Sequence, residues 1–213
     1  CIRDSFRATL LAAGVPVYCL PGNHDAPATM ASLLPGENFQ FGGRARLGAW
    51  GLVLLDSHVP DAPYGLLSPA ALARLDADLH ALHDRPVLLA VHHPPMPVGS
   101  PWIDALGLRN GAELLARLER FPNVRATVSG HVHQAFDSRR GALRLLTTPS
   151  TCAQFTPNTL DCVMDSRPPG YRWLQLSPEG RLDTEVKWLE GWVPNGPQVA
   201  SRDLGSAQRK LFQ

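Results

Sequence analysis

The residues best suited to chemistry in this sequence are its histidines, and they are clustered. Five of the eight fall in three short segments, Gly22-Asn23-His24-Asp25, His92-His93-Pro94-Pro95 and Gly130-His131-Val132-His133. Imidazole nitrogens and the carbonyl oxygen of an asparagine side chain suit a borderline transition metal such as Zn, Mn or Fe, whereas Mg or Ca would ask for an oxygen-only shell. A metal site is therefore the natural reading. A lone histidine is more often a hydrogen-bonded loop or core residue than a ligand, but three such segments in one chain are hard to ascribe to coincidence. His131 and His133 would share a face on an extended strand, or reach adjacent metals from a tight loop. His93 can equally stand behind a ligand as be one. His58, His80 and His83 lie outside the three segments; His80 and His83 come late in a predicted helix, where a cation is favourable in any event.

Each segment follows a short apolar run that reads as a buried strand: Val15 to Leu20, Pro86 to Val91 and Val124 to Val128. Pro94-Pro95 forbids the second run from continuing as a central strand. Loops at the ends of buried strands are where α/β folds gather functional groups. A fourth run, Leu52 to Leu55, ends at Asp56-Ser57-His58. Residues 1 to 13 have helical apolar spacing, with Gly14 placed to close the helix in a left-handed conformation. Ser68-Pro69 offers an N-cap and a first-turn proline ahead of the stripe Leu72, Leu75, Leu79 and Leu82. Asn110 and Glu113 have the form of a capping box that opens a helix through Leu114, Leu115 and Leu118. Further strands are predicted over 143–147, 171–176 and 182–188, the last two joined by Ser177-Pro178-Glu179-Gly180. Helices and strands alternate first and strands dominate later, an α/β pattern.

Composition bounds the function. A chain of 213 residues, 44% hydrophobic and 18% charged, can bury the core of one domain. Its net charge of +1 gives no electrostatic reason to bind nucleic acid or an anionic membrane. No apolar run approaches the roughly 18 residues that cross a bilayer. The four cysteines, Cys1, Cys19, Cys152 and Cys162, show no Cys-x-x-Cys spacing, and the reading is a reduced, cytoplasmic protein. Residues 1–190 are read as the domain. Residues 191–213, polar and rich in Pro and Gly, are read as a poorly ordered tail.

The ordered set Gly-Asn-His-Asp, then His-His-Pro-Pro, then Gly-His-Val-His resembles the second half of the calcineurin-like metallophosphoesterase signature. Leu54-Leu55-Asp56-Ser57, Trp102-Ile103-Asp104, Gln134 and the stretch Pro149-Ser150-Thr151-Cys152-Ala153-Gln154-Phe155 are similar to the bacterial class III 3',5'-cyclic-nucleotide phosphodiesterases. The resemblance covers most of residues 15 to 190. It implies an αββα fold, two packed mixed sheets flanked by helices. It implies a dinuclear centre of two divalent transition metals, Fe, Mn or Zn, whose bridging hydroxide attacks the phosphorus of cyclic AMP to give 5'-AMP. Asn23, His92 and His131 would hold the second metal and His133 the first. His24 would stay off the metals and assist the leaving alkoxide, with Asp25 orienting its ring. Trp102, Asp104 and Gln134 are the candidates for substrate contact. The partner would be a small cyclic nucleotide, and the resemblance allows a homodimer.

One departure stands out. The family's Asp-x-His and Gly-Asp-x-x-Asp motifs precede Gly-Asn-His-Asp, but the 21 residues before Gly22 contain neither. They would supply most ligands of the first metal and the carboxylate that bridges both. The start at Cys1 leads us to expect an N-terminally truncated stretch, its fold incomplete there and its own activity weak or absent. The alternatives are a broader phosphodiesterase, acting for instance on glycerophosphodiesters, and a non-catalytic binding protein.

Overall fold

Four of the apolar runs pair in one mixed sheet, and the run ahead of Asn23 pairs in a separate two-stranded sheet. The structure, a computed structural model, describes residues 2–34, 36 and 38–193. Its strands are β1 (Val17–Cys19), β2 (Phe39–Phe41), β3 (Gly43–Leu47), β4 (Trp50–Leu55), β5 (Val87–Val91), β6 (Val124–Ser129), β7 (Asp137–Arg140), β8 (Leu143–Thr147), β9 (Gln154–Phe155), β10 (Met164–Asp165), β11 (Gly170–Leu176) and β12 (Leu182–Trp188). The helices are α1 (Ile2–Ala12), α2 (Pro27–Leu33), α3 (Pro69–Ala81), α4 (Pro101–Asp104) and α5 (Gly111–Leu118).

Six strands form the main sheet in the order β3-β4-β5-β6-β8-β7. The four inner strands are parallel, and β3 and β7 close the edges antiparallel. Leu55 pairs with Val91 and Ala90 with Val128, so β4, β5 and β6 end side by side. The loops that follow them are therefore neighbours.

Alternation along the strands divides two cores. Val53, Leu55, Val87, Leu89 and Val91 face Leu72, Leu75 and Leu79 of α3 and Leu114, Leu115 and Leu118 of α5. The residues between them, Trp50, Leu52, Leu54 and Leu88, pack with Ala126 against Tyr18 and Leu20 on one side and Leu174, Leu176 and Leu182 of β11 and β12 on the other. Helices thus cover one face of the sheet and further strands the other, which gives the first three layers of the expected αββα fold. Each fully buried leucine here contributes about 1.5–3 kcal/mol. The Trp50 indole Nε1 donates to the Ser177 carbonyl at 2.7 Å and ties the β11–β12 turn to β4. Among the described residues no helix is long and apolar enough to cross a membrane.

The caps divide in outcome. Ser68 Oγ accepts from the Ala71 N–H at 3.1 Å, as predicted. Asn110 makes no side-chain cap. Its amide instead clamps Leu67, accepting from the Leu67 N–H and donating to the Leu67 carbonyl, both at 3.0 Å. A long-range pair of backbone groups thus displaces the local capping box. Beyond Val193 the expected tail lies outside the described residues.

Candidate metal centre

His92 follows β5 directly, and His131 and His133 follow β6 after Ser129-Gly130. The two loops are stitched together by the Gly130 N–H, which donates to the His92 carbonyl at 3.0 Å. Both His131 (φ 65°) and His133 (φ 50°) adopt the left-handed conformation. That backbone is unfavourable for a side chain and persists only where its surroundings impose it. Here the surroundings include Val132, which is buried with Val98 and Ile103 and pins the loop between the two histidines. The turn is tight rather than extended, so the two imidazoles diverge. His131 joins His92 and His93, with ring centroids 5.2 and 4.6 Å away. His133 stacks on Phe155 at 4.7 Å with the planes 6° apart.

Asn23 arrives from the end of β1. Its Oδ1 lies 3.0 Å from His92 Nε2 and 3.2 Å from His131 Nδ1. Gly22 allows the approach: a β-carbon there would stand 2.7 Å from His92 Cε1, so only hydrogen fits against the ring. Burial, reinforced by the neighbouring imidazoles His93, His133 and His24, pushes the pKa of His92 down to about 3. Burial does the same to His131, to about 2, with His93, His92 and His133 adding to it and the Leu106 carbonyl opposing. Both rings are therefore neutral, and a neutral imidazole keeps one ring nitrogen able to bind a cation. His131 Nε2 and His133 Nδ1 are buried without a hydrogen-bond partner among the described residues.

These donors fit a metal ion. Ligands about 2.1 Å from a common centre and at right angles stand about 3 Å apart, close to the two observed separations. Asn23, His92 and His131 could hold one ion in this way. His133 stands apart from them, and no carboxylate joins the donor cluster among the described residues. His93 is fully buried, with Nδ1 2.8 Å from Ser57 Oγ. Beside Asn23 opens a pocket of about 410 Å³, into which His24, Asp25 and His58 face.

The sequence profile described as calcineurin-like phosphoesterase matches residues 4–135. The chain belongs to this family. It is similar to the 3',5'-cyclic adenosine monophosphate phosphodiesterase CpdA of Pseudomonas aeruginosa, 40% identical over 188 residues that make up 88% of this chain and 69% of that protein. It is 37% identical to the 3',5'-cyclic-nucleotide phosphodiesterase alr5338 of Nostoc sp. over 87% of this chain and 70% of that one. The CpdA of Escherichia coli K12 is 41% identical over 87% of this chain and 65% of its own. A crystal structure of a dimetal phosphatase from Danio rerio superposes with a TM-score of 0.54, at 18% identity over 68% of this chain and 64% of that one, and supports the fold. A calcineurin-like phosphoesterase is a metallohydrolase, and the ring nitrogens of His92, His93 and His131, all within 4.8 Å of one another, could hold one of its divalent ions.

Within this calcineurin-like site, several residues read from sequence have other work. Asp25 Oδ2 accepts from the Gly22 N–H at 2.8 Å and tightens the Asn23 loop. Asp104 is committed to backbone, accepting from Val98 N–H at 2.7 Å and Gly99 N–H at 3.1 Å. Gln134 is buried and donates to Ser100 Oγ at 3.1 Å. Trp102 meets Phe155 edge-on at 5.0 Å and so backs the ring on which His133 stacks. Ser57, Phe155 and His58 went unassigned in the sequence. Ser57 and His58 immediately follow Asp56 at a strand end, which was the available signal.

Proposed function

We infer that this chain carries the histidine side of a metal-dependent phosphodiesterase whose substrate is 3',5'-cyclic AMP, opened to 5'-AMP. The observation that supports it best is the meeting of Asn23 Oδ1, His92 Nε2 and His131 Nδ1 at 3.0 and 3.2 Å, beside a pocket that also holds His24. The cyclic AMP phosphodiesterases about 40% identical to it supply the substrate.

In this reading Asn23, His92 and His131 hold one divalent ion and His133 serves a second. Their nitrogen and amide-oxygen donors favour Fe, Mn or Zn. The ions supply Lewis-acid charge for the phosphate oxygens and lower the pKa of water. The protein's part is to keep the imidazoles neutral, buried and aimed. His24, exposed in the pocket, meets the phosphate and passes a proton to the ribose oxygen as its bond to phosphorus breaks. His93, bonded to Ser57, packs against the rings of His92 and His131 and fixes their planes. Free thiols at Cys19 and Cys152 suit a reducing compartment, and we assign the protein to the cytoplasm on that ground.

The test uses the full-length protein, with metal content and cyclic AMP hydrolysis measured in parallel. His92→Ala is expected to lose both metal and turnover. His24→Ala is expected to keep its metal and lose about 100-fold or more in rate. Undiminished turnover in both variants overturns the assignment.

A further inference from the structure

The pocket beside Asn23 has a second wall, and it belongs to the loop between β4 and α3. That loop is closed on itself: the Leu66 N–H donates to the Ser57 carbonyl at 3.1 Å and the Ala62 N–H to the Val59 carbonyl at 3.3 Å. Its base is fastened beneath the histidine cluster. Ser57 Oγ meets His93 Nδ1 at 2.8 Å, and Gly65 packs so closely on the His93 ring that a β-carbon there would overlap it. From outside, the Arg109 N–H donates to the Gly65 carbonyl at 2.8 Å, and the Arg109 guanidinium lies 4.6 Å from the centre of the Tyr64 ring.

With its base fixed, the loop holds its tip over the pocket. Pro60 and Pro63 stiffen the tip, and His58 and Asp61 join them in the lining opposite His24 and Asp25. The His58 N–H donates to Asp56 Oδ1 at 2.8 Å, which fixes the backbone from which its ring projects. The Asp61 carboxylate has no hydrogen bond or ion pair to another described residue. At about 410 Å³ the pocket is within the range of small-molecule sites.

The two walls suit the two halves of a nucleotide diester. Asn23 and His24 form the wall next to the metal donors, where a phosphate would go. A free carboxylate on the other wall repels phosphate but accepts hydrogen bonds from O–H and N–H groups. In a nucleotide diester those donors belong to the ribose and the base.

We propose that the loop Ser57–Leu66 is the nucleoside wall of the site, with Asp61 accepting from a hydroxyl or amine of the nucleoside and His58 facing the base. This rests on the phosphodiesterase reading above. Asp61 is left-handed, with φ 56°. Asparagine tolerates that conformation, so Asp61→Asn removes the charge without disturbing the backbone.

The experiment compares full-length, metal-loaded wild type, Asp61→Asn and His58→Ala on cyclic AMP and on bis(4-nitrophenyl) phosphate, a diester with no nucleoside. Isothermal titration with 5'-AMP and with inorganic phosphate gives a readout independent of turnover. Both variants are expected to raise KM for cyclic AMP and Kd for 5'-AMP by about 5- to 20-fold. The losses should be confined to nucleotides, with kcat on cyclic AMP within about twofold of wild type. Equal losses on both diesters, or an unchanged Kd for 5'-AMP, overturn the nucleoside wall alone. A wild type that cleaves bis(4-nitrophenyl) phosphate and ignores cyclic AMP overturns the substrate reading, and this inference with it.

Discussion

His92 and His131 stand at the ends of β5 and β6, central strands of a six-stranded sheet whose residues are buried on both faces. His24 follows β1, a strand of three residues whose only strand partner among the described residues is the equally short β2, and its side chain is exposed. Two of the three proposed metal donors are thus mounted on buried central strands. The third, Asn23, shares with His24, the group proposed to meet the substrate, the loop that follows the short β1. Local opening costs least where few contacts must break, so the same site combines a rigid half with a yielding one. The halves touch at Gly22, which belongs to the yielding loop and lies against the rigid His92 ring.

Gly22→Ala attacks that junction and should have the largest effect. Its β-carbon would crowd His92 Cε1 at 2.7 Å and Nδ1 and Nε2 at 2.9 Å. Overpacking of this kind costs about 1–3 kcal/mol. Metal affinity should fall about 10–100-fold with the displaced ring, read by metal titration beside thermal unfolding. Unchanged affinity would mean that the halves are independent.

Ser57→Ala tests the rigid half by itself. It strands His93 Nδ1 in a fully buried position, at a cost of about 1–3 kcal/mol. Denaturant unfolding should register the full loss, with metal affinity reduced less than in Gly22→Ala. Asp25→Ala tests the yielding half and should have the smallest effect. It removes the acceptor of the Gly22 N–H, about 0.5–1.5 kcal/mol held locally. Proteolysis within residues 21–34 should quicken while the global unfolding midpoint stays nearly constant. A global loss as large as that of Ser57→Ala would erase the distinction between the halves.

What could be read in advance follows the same division. The strands β4 and β5 are continuous apolar runs, and β6 and β8 are mostly apolar with one arginine each; an apolar run bounded by turn residues declares itself. The edge strand β7, Asp-Ser-Arg-Arg, carries no such pattern and exists because β8 offers it a partner. Asn23, His92 and His131, singled out as a ligand set because metal chemistry restricts residue type, do come together in the fold. Asp104 and Gln134 were read as substrate contacts, yet their bonds go to the backbone of residues 98 and 99 and to Ser100, partners that residue type does not disclose. Asn110 stands at the N-cap of α5 and its amide donates to Glu113 at 3.4 Å, as its spacing suggested, but its shorter bonds go to Leu67, 43 residues away. His58 follows a strand end as the other loop histidines do, but only the folded loop brings it into the same pocket as His24.

Asn23 reaches His92 across 69 residues of chain and His131 across 108. No partly folded segment can assemble that trio, since it exists only after β1, β5 and β6 have all found their places. Loop closure on this scale comes late and slowly in folding. An ion that needs all three donors then discriminates between the finished molecule and everything before it. At 100 times its dissociation constant such an ion would add about 2.7 kcal/mol to the native state. In a molecule with so lightly held a β1, cofactor supply would set lifetime as well as turnover.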